Sequence, residues 1–334
     1  MILRNLFLVM LLFAGPFGYA QITDVLLSDT VHLDERLNES SGLAFAAEKL
    51  WTHNDSGGQP ELYAVDPETG SIIQTIFLEG AKNNDWEDLA ADGHYLYIAD
   101  TGNNVDGARI DLMIYKVCLD DIPAVGNTNI PADKIGIIRF YYPEQGLSPT
   151  PTTANNTAYD CEAIFVADDT IHLFTKDWTS ASSGYGTSEY LLPAFPLPEE
   201  EKYPAIWFKR HDQIGFMVTG ADYSKETGRA LLIGYQNKEG FGNHFLRVYS
   251  DVKDHDVGTG TVFVKNLGIP LSVGQAEAIC FGEDASRGFI SNEEFSFSIS
   301  SYSFHYPAAL RRFFLSNGSE NEDKEDIFPV KPSN

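Results

Sequence analysis

Three observations predict an all-β chain folded as a five-bladed β-propeller of four-stranded antiparallel blades. First, a short phrase recurs: Ser41-Gly42-Leu43, Glu87-Asp88-Leu89, Glu162-Ala163-Ile164, Thr219-Gly220-Ala221 and Glu277-Ala278-Ile279. Its copies stand roughly 45 to 75 residues apart, the scale of one blade and its loops. Second, each copy opens an apolar stretch and is followed by further short, half-alternating runs bounded by Gly, Asp and Asn, the pattern of pleated strands between tight turns. Third, the last unit lacks its outer strand, while one unassigned strand-like segment, 25–33, stands at the opposite end of the chain.

The recurring phrases are the inner strands. Second strands are expected at 50–55, 96–100, 171–176, 231–235 and 288–293, and third strands at 62–65, 112–115, 190–192, 246–249 and 302–304. Fourth strands are expected at 72–78, 135–142, 205–210 and 262–267. Segment 25–33 then closes the fifth blade, removing the edge that an open ring would present to other chains. The long interval 119–158 leaves six blades as the alternative. Aromatic residues at 13% and abundant Gly fit an all-β chain.

Residues 1–20 read as a secretory signal: Arg4 is the positive start, 6–14 the apolar run, and Gly18-Tyr19-Ala20 a small-residue cleavage site. The run is too short to span a bilayer, so no membrane insertion is expected. The domain is expected over 21–316, secreted or periplasmic and monomeric, followed by a disordered acidic tail over 317–334. Against 48 Asp and Glu stand 23 Lys and Arg, for a net charge of −25. That excess repels nucleic acid and anionic surfaces. Cys118, Cys161 and Cys280 are too scattered for a disulfide framework or a thiolate metal site and are read as packing residues. No nucleophile elbow, zinc-protease helix, phosphate loop or dinucleotide fingerprint is present.

The inner strands of a propeller line its channel, so their leading residues converge. Two residues ahead of each anchor stand Glu39, Asp85, Asp160, Met217 and Gln275; the anchors are Ser41, Glu87, Glu162, Thr219 and Glu277. Glu87, Glu162, Glu277, Asp85, Asp160 and Glu39 are the candidate metal ligands. An all-oxygen set suits Ca²⁺, with Mg²⁺ second. The alternative is that these acids accept backbone hydrogen bonds from the next blade and tie the ring together. The polar ends of the second strands should gather at the same rim. Among them His53, Asp100 and Lys176 are the candidate catalytic groups, His53 and Lys176 because neither is a usual turn residue. Trp86, beside Glu87, is read chiefly as interblade packing, with stacking on a ring-shaped ligand as the other reading.

The segments Asp85-Trp86-Glu87-Asp88-Leu89, Leu96 through Asn104, Tyr159 through Ile164, Val218 through Asp222 and Gln275 through Ile279 together resemble a pattern in a group of uncharacterised secreted bacterial β-propeller proteins. More distantly, the anchors are similar to esterase-like, phytase-like and SdiA-regulated propeller domains. That resemblance implies channel-facing acids and, in some relatives, bound calcium. Met217 and Thr219 depart from it, because an intact acidic ring would carry acids there. Two functions follow as expectations: a divalent-metal-dependent hydrolase of phosphoester, lactone or ester bonds, or a non-catalytic propeller holding a glycan, peptide or envelope partner. Paired carboxylates would also serve glycoside hydrolysis.

Overall fold

Four- and five-stranded antiparallel sheets follow one another around a ring in this computed structural model, which describes residues 21–195, 201–236, 242–299 and 302–317. The signal, 1–20, and all but the first residue of the expected tail lie outside the described residues. The inner strands are Ser40–Ala46, Trp86–Ala91, Cys161–Ala167, Met217–Ser224 and Gln275–Phe281. Each pairs with the strand after it, and the sheet continues outward: Lys49–Asn54, Glu61–Val65 and Ile72–Leu78 complete the first blade. The architecture is a five-bladed β-propeller.

The sequence dictates this arrangement through burial on both faces. Every residue of Cys161–Ala167 is buried, as expected for a strand with neighbouring blades against each side. The apolar core divides into five clusters, one between each pair of adjacent blades. Trp51 and Trp86, for example, fill the space between the first and second blades, and Phe165, Phe174 and Phe216 that between the third and fourth. Each blade therefore depends on its neighbours for its core.

Closure follows the expected route. Asp24–Leu27 pairs antiparallel with Ala309–Ser316, and Val31–His32 with an earlier part of the same strand. Thr23 donates from its backbone to Ser316 at 2.8 Å, so the two ends of the ring are joined.

Two expectations are corrected. The third strand of the fifth blade is Ala309–Ser316, paired with Arg287–Glu293, and not 302–304. Tyr302–Tyr306 instead pairs with Phe295–Ile299 in a separate hairpin. Its alternating aromatics and serines have the period of a strand, but Ala309 through Leu315 buries more apolar surface and takes the place in the blade. The long interval after residue 119 does not hold a sixth blade. Thr128–Ile130 joins the first blade as a parallel outer strand, and Tyr203–Pro204 does the same for the second.

Each inner strand carries a register shift at its anchor. Pairing runs from Cys161 to Ala163, from Val218 to Gly220 and from Ala276 to Ala278, passing over Glu162, Thr219 and Glu277. It passes over Ser41 and Gly42 in the first blade and over Glu87 and Asp88 in the second. A bulge leaves its extra residue outside the ladder and re-aims its side chain. The recurring phrase is thus the sequence of a bulge that takes one or two residues per blade out of the ladder.

Candidate active site in the channel mouth

Inner strands begin, and second strands end, at one mouth of the channel. Asp55, Asp85 and Glu87 each place a carboxylate oxygen within 4.8 Å of the others, as do Glu87, Asp160 and Glu162. Glu87 belongs to both groups. The structure therefore brings together four of the six expected ligands and adds Asp55. Glu277 adjoins them on the fifth blade, its Oε1 accepting from Gln275 Nε2 at 2.8 Å, and Gln275 also donates to Glu293. Glu39 is exposed at the rim, close enough to act on Glu293.

Burial sets the electrostatics. Glu87 is only 5% exposed, and burial followed by repulsion from Glu162 and Asp55 pushes its carboxyl well above the usual range. No cation is among the groups acting most strongly on it. Burial, then Asp85 and Glu277, lifts Asp55 to about 7. One of its oxygens, Oδ1, is buried without a hydrogen-bond partner. Asp85 rises to about 6, again by burial first, with Arg109 opposing. Glu277 and Glu293 each rise to about 7 by burial. Desolvated like charges of this kind favour either a proton or a cation among them.

The other two oxygens of the second group are more committed. Asp160 accepts the Asn103 backbone N–H on Oδ1 at 2.5 Å and the Trp178 indole N–H on Oδ2 at 2.7 Å. Glu162 receives Lys176 Nζ at 2.9 Å. Burial alone would lower the Lys176 pKa, but Glu162, Tyr235, Glu277 and Asp160 hold it well above the usual lysine range. Lys176 is thus a fixed ammonium in the wall of the site, where it compensates one carboxylate.

The remaining candidates sit elsewhere. His53 is fully buried edge-on against Trp86, with ring centroids 5.5 Å apart and Nδ1 3.0 Å from the Asn54 carbonyl. Burial pushes it down to about 4, and the backbone of Asn54 and Asp88, rather than any acid of the mouth, acts on it. Trp86 is completely buried and presents no face to a ligand. Asp100 stands behind Asp85: its Oδ1 accepts Arg109 Nη2 at 2.8 Å and the Asp85 backbone N–H at 3.2 Å, which fixes the start of the second inner strand.

Through Asn103, Asp160 ties the third blade to the second, and elsewhere the ring-tying role falls to different acids. Asp88 Oδ2 accepts the Ile164 backbone N–H at 2.8 Å, and Asp222 Oδ2 that of Phe281 at 2.7 Å, each linking a blade to the next. Ser41 and Thr219 do the same as donors, to the Glu87 and Ala276 carbonyls. These bonds release the anchor glutamates from that duty.

Asp55, Lys176, Tyr235 and Glu293 occupy one structural position. Each follows the residue paired with the one just ahead of an anchor: Asn54 with Ser40, Thr175 with Cys161, Gly234 with Val218, Asn292 with Ala276. The second-strand endings carried that signal, but a two-residue offset between blades blurred it.

No protein-family model matches the sequence, and no curated protein matches it either, so the resemblance to esterase-like, phytase-like and SdiA-regulated domains gains no support there. Solved structures that are similar in fold include the Myceliophteria thermophila Cps50 (Swd1) β-propeller domain, at TM-score 0.39 and 8% identity over 89% of this chain and 100% of that one. Kuenenia stuttgartiensis hydrazine synthase gives TM-score 0.37 and 10% identity over 78% of this chain, which spans 57% of that one. Drosophila Semaphorin 1b extracellular domains 1–2 give TM-score 0.33 and 12% identity over 86% and 65%. At these distances none bears on the activity of this chain.

Proposed function

We propose that the channel mouth binds a divalent cation, Ca²⁺ before Mg²⁺, and that the protein uses it to hydrolyse phosphoester, lactone or ester bonds. The observation that carries this reading is a buried Glu87, crowded by Glu162 and Asp55, beside the partnerless Oδ1 of Asp55 in a cluster with Asp85. Buried charge of this kind is costly unless paired or coordinated. The cation would polarise the oxygen of the scissile bond. Around it, Asp85 and Asp55 are the ligands with fewest other commitments, Asp160 is steadied by Asn103 and Trp178, and Lys176 limits the negative charge on Glu162. His53 is too deep to handle the water.

A thermal melt in chelator, then with added Ca²⁺ or Mg²⁺, tests the cation. A ligand at about 100 times its dissociation constant adds roughly 2.7 kcal/mol. The expected result is a rise in Tm with Ca²⁺ that Glu87→Gln abolishes; equal melting with and without cation overturns the reading. Ca²⁺-dependent release of nitrophenol from phosphoester or ester reporters tests the hydrolysis.

Two observations favour the second reading, a non-catalytic propeller for a glycan, peptide or envelope partner. Lys176 already neutralises Glu162, and the fourth blade contributes Met217 and Thr219 in place of acids. A cation response without turnover of any reporter selects it.

A further inference from the structure

Beside the acids, on the side of the third to fifth blades, a cavity of about 250 Å³ is lined by Trp178, Tyr235, Pro270, Asn155, Gln236 and Gln275, with Gly242 and His244 completing its wall. We propose that this cavity is a subsite for one neutral sugar ring, which would carry the bond acted on toward Glu162 and Lys176.

Three features of the wall specify that ligand. Trp178 and Tyr235 are half-buried, so each ring keeps apolar surface for a partner. Aromatic walls with a few convergent polar groups are the usual make-up of a small-molecule pocket, and the C–H face of a pyranose matches an aromatic ring. The polar lining is mostly amide: Asn155, Gln236 and Gln275 both donate and accept, as the hydroxyls of a sugar do. No Lys, Arg, Asp or Glu is among the described lining residues. Lys176, beside both aromatic rings, is already bonded to Glu162, so an anion would find it taken, whereas a neutral polyhydroxylated ring finds its complement in the amides. The volume is below the usual span for a drug-sized ligand and suits one six-membered ring.

A second, independent observation points the same way. His244 is 1% exposed, and neither ring nitrogen has a hydrogen-bond partner of good geometry. Burial holds it neutral, near 4, with only the Gly268 backbone opposing. A neutral imidazole presents one donor and one acceptor, and a buried polar group left without a partner is costly unless something supplies one.

The cavity and the acids share residues. The Trp178 indole N–H is bonded to Asp160, and Gln275 to Glu277. Lys176 Nζ lies 5.0 Å from the Trp178 ring centre and 5.1 Å from that of Tyr235, while bonded to Glu162. The inference rests on the proposed function for its link to chemistry, whereas binding of the ring does not require a cation.

The test is saturation-transfer NMR of the whole protein, in chelator, with methyl β-D-glucopyranoside, methyl β-D-galactopyranoside and N-acetyl-D-glucosamine at millimolar concentration. At least one should bind. Trp178→Ala should weaken that binding tenfold or more. Asn155→Gly keeps the left-handed backbone at φ 54° and removes only the amide, so it guards against a folding defect and should weaken binding about threefold. Trp178→Phe retains a stacking face but not the bond to Asp160, and should bind more tightly than the alanine variant. No binding of any of the three, or binding that survives both Trp178→Ala and Asn155→Gly, overturns the proposal. Loss of the Ca²⁺ response with sugar binding intact would instead count against the cation alone.

Discussion

The backbone of Gly102 lies directly against the carboxylate of Glu87. A methyl group on Gly102 would overlap Glu87 Oε1 and Asp85 Oδ2. The loop that carries it is held over the acids by Thr101 and Gly102 N–H groups donating to the Asp85 carbonyl at 3.1 and 3.2 Å, and by Arg109 donating to the Gly102 carbonyl at 2.7 Å. Gly102→Ala should therefore push both carboxylates aside. Overpacking of this kind costs about 1–3 kcal/mol. Calorimetry should show a lower Tm and a smaller rise with Ca²⁺ than in the parent; an unchanged Ca²⁺ response would show that these two acids do not hold the ion.

The pair of Lys176 and Glu162 predicts an asymmetric response to mutation. Removing one partner of a buried ion pair costs about 3–5 kcal/mol, because the other charge stays buried and unpaired. Lys176→Met should be strongly destabilising, while Lys176→Met with Glu162→Gln should recover much of the loss. Chemical denaturation of the two single variants and the double variant measures the coupling. Additive effects would place the two groups in separate environments.

Stability in chelator should fall as pH rises from about 4 to about 7. Asp222 is raised to about 7 by burial, against the opposing backbone bonds of Phe281 and Tyr223. A carboxyl whose folded pKa exceeds its unfolded value binds its proton more tightly in the folded state. Its contribution is present below the unfolded pKa and is lost as pH climbs through the folded one. Asp55, Asp85, Glu277 and Glu293 shift in the same direction. Asp222 holds the fifth blade and lies outside the metal-ligand groups, so Asp222→Asn should flatten the decline even in chelator. His53 and His244, held near 4 by burial, act in the opposite direction but are outnumbered by the raised acids, so a Tm that rises across this interval would contradict the balance of these shifts.

Removal of residues 21–28 should open the ring. Val25 is 1% exposed and faces Leu315, so the deletion uncovers both apolar core and the unpaired edge of Ala309–Ser316. Exposed strand edges template association. The expected outcome is a lower Tm together with concentration-dependent assembly by light scattering; a stable monomer would mean that the closing strand is dispensable.

Strand positions were legible where burial on both faces leaves a continuous apolar run, as in Glu162-Ala163-Ile164-Phe165-Val166. Closure was legible too, because the missing outer strand could come only from the segment containing Val25. The fifth blade misled because Phe295 through Tyr306 alternates apolar and polar residues as a blade strand does, and one period-two pattern cannot be ranked above another without knowing what covers it. The convergence of acids followed from the repeat, since the bulge that recurs is the device that aims them. The depth of a side chain did not follow. His53 and Asp55 are two residues apart, yet one packs beneath Trp86 and the other opens onto the channel. Nor could sequence show Lys176 between Trp178 and Tyr235, because that contact joins blades whose spacing only the folded ring defines.

The seam between Asp24–Leu27 and Ala309–Ser316 also orders events in time. The strand that completes the fifth blade precedes the other four blades along the chain, and its partner follows them. A nascent chain can therefore close the disc only after Ala309–Ser316 has emerged, and until then Asp24–Leu27 has no partner strand in the fifth blade. The same adjacency makes the two ends interchangeable with any interblade turn. A chain spliced from end to start and reopened between the third and fourth blades would keep every strand pairing while changing which segment has to wait.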